Sequence, residues 1–166
     1  MSIRAYIAIG SNLGDRAANC AVALDRLGRL PGTTHLRASP LIETAPAEGV
    51  AGESFLNGVA EIVTTLSPRP LLMHLHAIEA ALGRAVAHAP GTARTMDLDL
   101  LLYGDLVMEE ADLVIPHPRM IARRFVLEPL AALAPGLSHP VLNVTIEELL
   151  RRLDPTRRVS PTGVPV

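Results

Sequence analysis

Two aspartates stand two residues apart within a run of leucines in TMDLDLLLYG, residues 95–104. Side chains alternate across a strand, so as a strand this stretch projects Asp97 and Asp99 to one side while Leu98, Leu100 and Leu102 fill the other. Like charges that close raise each other's pKa unless cations or hydrogen bonds compensate. A divalent ion compensates directly. Hard carboxylate oxygens suit Mg²⁺, which takes one or two protein carboxylates and completes its shell with water and substrate phosphates. The chemistry implied is phosphoryl chemistry; the plainer alternative is a solvated strand face kept soluble by its charges.

The neighbouring residues strengthen the first reading. Arg84 and Arg94 bracket the loop that leads into this strand, and PHPRMIARRF brings His117, Arg119, Arg123 and Arg124 close together in sequence. Arginine is the side chain suited to bidentate phosphate recognition, although any one of these taken alone is an ordinary surface cation. The chain has neither a GxxxxGK[ST] loop nor a GxGxxG turn, which argues against P-loop and Rossmann nucleotide sites and leaves the phosphates to side-chain clamps. Cys20 falls on an apolar helical face and reads as core, and GSNLG lacks the GxSxG arrangement of hydrolases. His74 and His76 point in different directions from a helix and form no metal pair. Tyr6, Tyr103, Phe55 and Phe125 are the only aromatic rings, too few and too scattered for an RNA-stacking sheet.

The scaffold for these residues has to be built from 166 residues that are 49% apolar and 19% charged, which is enough for one ordinary domain with a buried core. The formal net charge of -2 offers no footprint for nucleic acid. No run approaches the roughly 20 apolar residues of a membrane span, and the N-terminus lacks the pattern of a secretory signal. A single cysteine rules out an internal disulfide. A soluble single domain over residues 1–166, in a reducing cytoplasm, is expected; its core spans about residues 5–135 and its polar tail, about 155–166, is loosely ordered.

Along the chain, AYIAIG (residues 5–10) reads as a buried strand closed by glycine, followed by turn residues. A helix capped by Asp15 follows, with Ala17, Cys20 or Ala21, Leu24 and Leu27 at helical spacing until Pro31 and Gly32. Residues 34–43 read as a second strand interrupted or bent near Pro40, and TAPAEGVAGES as a loop. In FLNGVAEIVTTL, residues 55–66, Leu56, Ala60 and Ile62 share one face of a third strand and Asn57, Val59, Glu61 and Val63 the other. Ser67 and Pro68 open a second helix whose buried face is Leu71, Leu75, Ile78 and Leu82, ending near Gly83. The DLDLLLY strand comes next. The sum is an α+β fold: a ferredoxin-like βαββαβ sandwich with a mainly antiparallel sheet, helices packed on it, and two right-handed crossovers. C-terminal helical additions follow, one over roughly residues 120–132 and a last short one opened by a Thr145/Glu148 capping box.

Taken together, AYIAIGSNLGDR, FLNGVAEI, IEAALGR, ARTMDLDLLLYGD and IPHPRMIARRFVLEPLAALAP resemble the 6-hydroxymethyl-7,8-dihydropterin pyrophosphokinase family over about residues 5–135. The resemblance implies a ferredoxin-like core that binds MgATP and a reduced pterin side by side. It implies transfer of the terminal pyrophosphate of ATP to the pterin hydroxymethyl group, with AMP as the other product, in folate biosynthesis. Carried over by position, Asp97 and Asp99 hold two Mg²⁺ ions and, with Arg84 and Arg94, form the catalytic set. Glu79, Arg84, Arg94, His117 and Arg123 serve ATP. Phe55 and Phe125 stack on the pterin, and Asn57 with the backbone of Thr44, Ala45 and Ala47 reads its edge. A flat heterocycle favours aromatic faces and an amide offers donors and acceptors to its edge; core packing is the alternative for the two phenylalanines. The expected partners are these small molecules, with no nucleic acid or membrane, and the expected state is a monomer.

Two departures from the family pattern stand out. Val86 and Gly91 occupy places where family members commonly carry an arginine and often a tryptophan. A missing charge-assisted bond to phosphate costs roughly 1.5 to 3 kcal/mol, so a looser hold on ATP and a working but slower enzyme are expected. TAPA also has smaller side chains where the family often shows TPPL. The competing readings are a non-catalytic pterin- or nucleotide-binding regulator on the same fold, with a decayed ATP lid, and a general Mg²⁺-dependent nucleotide hydrolase.

Overall fold

In the computed structural model, residues 1–44, 54–83 and 96–153 are described. The elements follow in the order β1 (Ile3–Ser11), α1 (Arg16–Gly28), β2 (Thr33–Ala38), β3 (Ile42–Thr44), β4 (Phe55–Thr64), α2 (Pro68–Gly83) and β5 (Asp97–Tyr103). After them come β6 (Met108–Glu110), β7 (Leu113–Ile115), a 3-10 turn (Met120–Ala122), α3 (Arg124–Leu133) and α4 (Ile146–Leu153). Local chemistry accounts for the boundaries. The Asp15 carboxylate accepts from the Ala18 N–H at 3.1 Å and caps α1. Pro68 is the first residue of α2, where its missing N–H removes no helical bond. The Thr145 hydroxyl accepts from the Glu148 N–H at 3.2 Å to open α4, one half of the expected capping box; the Glu148 carboxylate is taken by Arg151.

The sheet runs β2-β4-β1-β5, with β3 also pairing to β4, and every pairing is antiparallel. The expected second strand is thus two, β2 and β3, parted at Ser39 and Pro40; Ser39 keeps the gap in register by exchanging bonds with the Val59 backbone. Strand alternation divides the interior into two layers. On one face Ala5, Ile7 and Ile9 of β1, Ala60 and Ile62 of β4, and Leu98 and Leu100 of β5 pack against Cys20, Ala23 and Leu27 of α1 and Leu71, Leu75 and Ile78 of α2. On the other face Tyr6, Ala8 and Val59 pack against Val126, Leu127 and Leu130 of α3 and Ile146 and Leu149 of α4. The C-terminal additions therefore cover the second face of the sheet, which would otherwise expose a broad apolar surface. Burying each large aliphatic side chain in these layers contributes about 1.5–3 kcal/mol relative to leaving it exposed.

Several expectations are corrected. Leu102 faces the α3/α4 layer rather than joining Leu98 and Leu100, because the β1–β5 register skips Leu101 and the bulge resets the alternation. The buried stripe of α1 is Cys20, Ala23 and Leu27, with Ala17 and Ala21 exposed: the small side chains allowed either face, and packing chose. The helix expected over residues 120–132 is a 3-10 turn followed by α3, separated by Arg123 in extended conformation. The β6–β7 hairpin was not foreseen, since each strand is only three residues long; Arg69 of α2 pairs with Glu110 and Asp112 to hold it. The tail from residue 154 lies outside the described residues. Among the described residues no helix is long and apolar enough to cross a membrane.

Candidate active site

The register of the sheet brings the chemistry-bearing side chains to one end of the α3/α4 face. Gly10 on β1 lies opposite Asn57 on β4 and, on its other side, opposite Asp97 on β5; one step back, Ala8 lies between Val59 and Asp99. Paired residues share a face, so Asn57, Gly10, Asp97 and Asp99 all point the same way. Gly10 supplies no side chain. The gap over it is what lets Asn57 lean in: its Oδ1 lies 2.9 Å from where a β-carbon on Gly10 would sit, and the Phe55 ring 3.8 Å from it. Asn57 is only 7% exposed, and its Nδ2 donates to the Thr44 Oγ1 at 2.6 Å. Thr44 pairs with Phe55 and belongs to the same face. Thr44, Phe55 and Asn57 thus form one edge of the site, and Asp97 and Asp99 the other.

The second layer comes from the segment after β7. The Ile115–Pro116 peptide is cis, and the next residue, His117, donates its backbone N–H to the Leu101 carbonyl at 2.9 Å. Leu101 is the bulged residue, so the same irregularity that flipped Leu102 gives β5 an anchor for His117 beside the aspartates. His117 Nδ1 accepts from the Arg119 N–H at 3.1 Å. Burial holds the His117 pKa below its usual value, with Arg123 and Arg119 acting in the same direction and Asp97 opposing them. A neutral ring whose Nδ1 accepts must carry its proton on Nε2, which makes it a donor suited to phosphate oxygen.

Arg123 links the two halves. Its guanidinium is 3.9 Å from the Asp99 carboxylate, with both side chains partly exposed, and 5.6 Å from the centroid of the Phe125 ring, a cation–π contact. Phe125 is the second residue of α3 and is 38% exposed, so core packing does not account for it. Glu79 arrives differently: it projects from α2, which covers the opposite face, and accepts the Leu98 N–H at 2.8 Å. Leu98 lies between the two aspartates on a strand that ends the sheet, so Glu79 satisfies an edge donor and fixes β5 where the carboxylates emerge.

Of the residues expected from sequence, Asp97, Asp99, His117 and Arg123 are brought to one corner, with Phe125 joined to it through Arg123 and with Thr44, Phe55 and Asn57 along the adjoining edge. Arg84, Arg94, Ala45 and Ala47 lie outside the described residues. Sequence reading missed Gly10, whose only signal was a glycine closing a strand, and the Leu101 carbonyl, for which there was none. The carboxylate pair fits a hard divalent cation: both side chains are oxygen donors on one face, and a neighbouring cation already approaches one of them. Among the described residues there is no group of three or more His, Cys, Asp or Glu side chains that could hold a metal ion.

Residues 6–135 match the family model described as 7,8-dihydro-6-hydroxymethylpterin-pyrophosphokinase (HPPK). A Pseudomonas aeruginosa protein named 2-amino-4-hydroxy-6-hydroxymethyldihydropteridine pyrophosphokinase is 44% identical over 137 residues, covering 82% of this chain and 84% of its own length. Folic acid synthesis protein fol1 of Schizosaccharomyces pombe is 42% identical over 149 residues, 90% of this chain but 20% of that protein, so the chain spans a fifth of it. Among solved structures, one described as HPPK-DHPS in complex with substrates superposes with a TM-score of 0.70 at 12% identity, over 92% of this chain and 43% of that one. Plasmodium falciparum HPPK-DHPS wild type with pteroate gives 0.66 at 16% identity, over 92% and 42%. At those identities the likeness is one of fold.

Proposed function

The chain belongs to the 7,8-dihydro-6-hydroxymethylpterin-pyrophosphokinase family, and on that premise we propose that it transfers pyrophosphate from ATP to the hydroxymethyl group of 6-hydroxymethyl-7,8-dihydropterin in folate biosynthesis. The pterin hydroxyl oxygen bonds to the β-phosphorus, the bond from that phosphorus to the α,β-bridging oxygen breaks, AMP leaves, and the hydroxyl proton passes to solvent. The single observation that carries the reading is the placement of Asp97 and Asp99 on the same sheet face as Asn57, across a glycine whose missing side chain makes room for the Asn57 amide.

Each group has a task its environment suits. Asn57, oriented by Thr44, reads the pterin edge, and Phe55 and Phe125 bound its faces. Neutral His117 donates through Nε2 to a phosphate oxygen. Arg123, beside Asp99, is placed to bind the phosphates, and Arg84 and Arg94 join it on sequence grounds. Asp97 and Asp99 would hold two Mg²⁺ ions, which when bound supply charge neutralisation and alignment of the triphosphate. No side chain among these need serve as a strong general base, because phosphoryl transfer rests chiefly on positioning and charge stabilisation. The strand order, in which β1 lies between β4 and β5, supports the ferredoxin-like description. A cytoplasmic monomer and a weaker hold on ATP, from Val86 and Gly91 standing where an arginine and a tryptophan are common, complete the proposal; both residues lie outside the described ones.

The test is product analysis with ATP, Mg²⁺ and the hydroxymethyl dihydropterin. Equal amounts of AMP and pterin diphosphate, both absent without pterin, are expected. ADP would mean single-phosphoryl transfer and would sink the reading, as would AMP formed without pterin. Nothing among the described residues favours the regulator or hydrolase alternatives.

A further inference from the structure

We propose that Arg16 is a positioning residue for the pterin-reading edge of the site, holding β3 against β4 from the opposite face of the sheet. The Thr44–Asn57 bond and the Thr44–Phe55 pairing depend on β3 lying in register, yet β3 is three residues long and, among the described residues, pairs with β4 alone. So short an edge strand has few ladder bonds of its own, and such strands open first. Residues 45–53, which lie outside the described residues, separate it from β4.

Arg16 grips both strands at once. Its Nη1 donates to the carbonyl of Ser54, the residue before β4, at 2.5 Å, and its Nη2 donates to the Glu43 carboxylate, in the middle of β3, at 2.7 Å. One planar guanidinium thereby fixes the separation of the two strands. As an ion pair with a well-exposed carboxylate the contact contributes little; its value is geometric. Alternation explains the direction of the grip. Thr44, Phe55 and Asn57 share the site face, so Glu43 and Leu56 point the other way, toward the α1 layer. Arg16 is the first residue of α1, whose start is fixed by the Asp15 cap, by Asn19 Nδ2 donating to the Leu13 carbonyl at 3.0 Å, and by the buried stripe behind it. A rigid helix end on one face thus sets the recognition edge on the other without touching substrate.

The inference rests on the proposed function for the identity of the ligand. Steady-state kinetics of Arg16→Ala should show the KM for the pterin raised about tenfold, with kcat and the KM for ATP within about twofold, since only one substrate's positioning is disturbed. Glu43→Ala should give a smaller effect of the same kind, the double variant should be no worse than Arg16→Ala, and Arg16→Lys should recover part of the loss. Equal rises in both KM values, or none in either, would overturn the assignment. Hydrogen exchange at the amides of residues 42–44 and 55–57 tests the clamp independently of substrate: faster exchange in Arg16→Ala is expected, and unchanged exchange would overturn it. Wild-type protein that binds no pterin would instead overturn the proposed function, leaving the exchange result to decide the clamp.

Discussion

Gly10→Ala isolates the geometry of the site from its chemistry. Gly10 is not among the glycines with positive φ, so alanine meets no backbone strain there. Its β-carbon would, however, lie 2.9 Å from the Asn57 Oδ1, where ordinary contact begins at 3.4 Å. Asn57 has little room to give, because its other end is tied to Thr44 at 2.6 Å and its side chain is buried. The amide must rotate away and surrender that bond. A lost neutral hydrogen bond costs about 0.5–1.5 kcal/mol, rising to about 1–3 where a buried polar group is left unsatisfied. At about 1.4 kcal/mol per decade, a loss of 1–2 kcal/mol is a factor of about 5–30 in pterin binding. Steady-state KM values for both substrates, with thermal midpoints as control, measure it: the pterin KM should rise by that factor, the ATP KM should hold, and the midpoint should fall by only a few degrees. The double variant Gly10→Ala/Asn57→Ala closes the cycle. With the amide gone the clash is gone, so the double variant should match Asn57→Ala alone; additive losses would refute the reasoning.

Asp97→Asn and Asp99→Asn should each lower turnover on the order of a thousandfold, since several kcal/mol of charge stabilisation is lost, while pterin binding followed by fluorescence persists and the thermal midpoint does not fall; normal turnover in either would refute the metal assignment. Glu61 is buried and its pKa is held down chiefly by its bonds from Arg37, with the Tyr6 hydroxyl donating at 2.6 Å. A carboxyl with a lowered folded pKa contributes stability that is full above its unfolded pKa of about 4.3 and is lost as pH falls through the folded value, so acid unfolding should be shallower in Glu61→Gln; an unchanged pH profile would count against it. Tyr6→Phe should cost about 1–3 kcal/mol in urea unfolding by leaving that buried carboxylate short of a donor, with no change in either KM. Cys20 is fully buried and burial raises its thiol pKa, so thiol reagents should label the protein only on unfolding; labelling at the rate of a free thiol in the native state would show the α1 packing to be wrong.

Sequence alone determined what local pattern can carry. The 3.6-residue and two-residue periods, the Asp15 and Pro68 helix starts and Gly10 near the end of β1 fixed where β1, α1, β4, α2 and β5 lie, because each signal is complete within a few residues of chain. The spacing of Asp97 and Asp99 already put both carboxylates on one face, and the combination of motifs identified the family. Tertiary structure decided whatever depended on a partner strand. The Leu101 bulge is invisible in LLL, since any leucine can face either layer and only the mismatch with β1 selects the one left out; yet that bulge places His117. The role of Gly10 exists only because Asn57 lies across from it in the sheet, and the grip of Arg16 on Glu43 and Ser54 joins residues 27 and 38 positions apart. Periodicity says which way a side chain points; what it meets there is set by register, and register is a property of two chain segments at once.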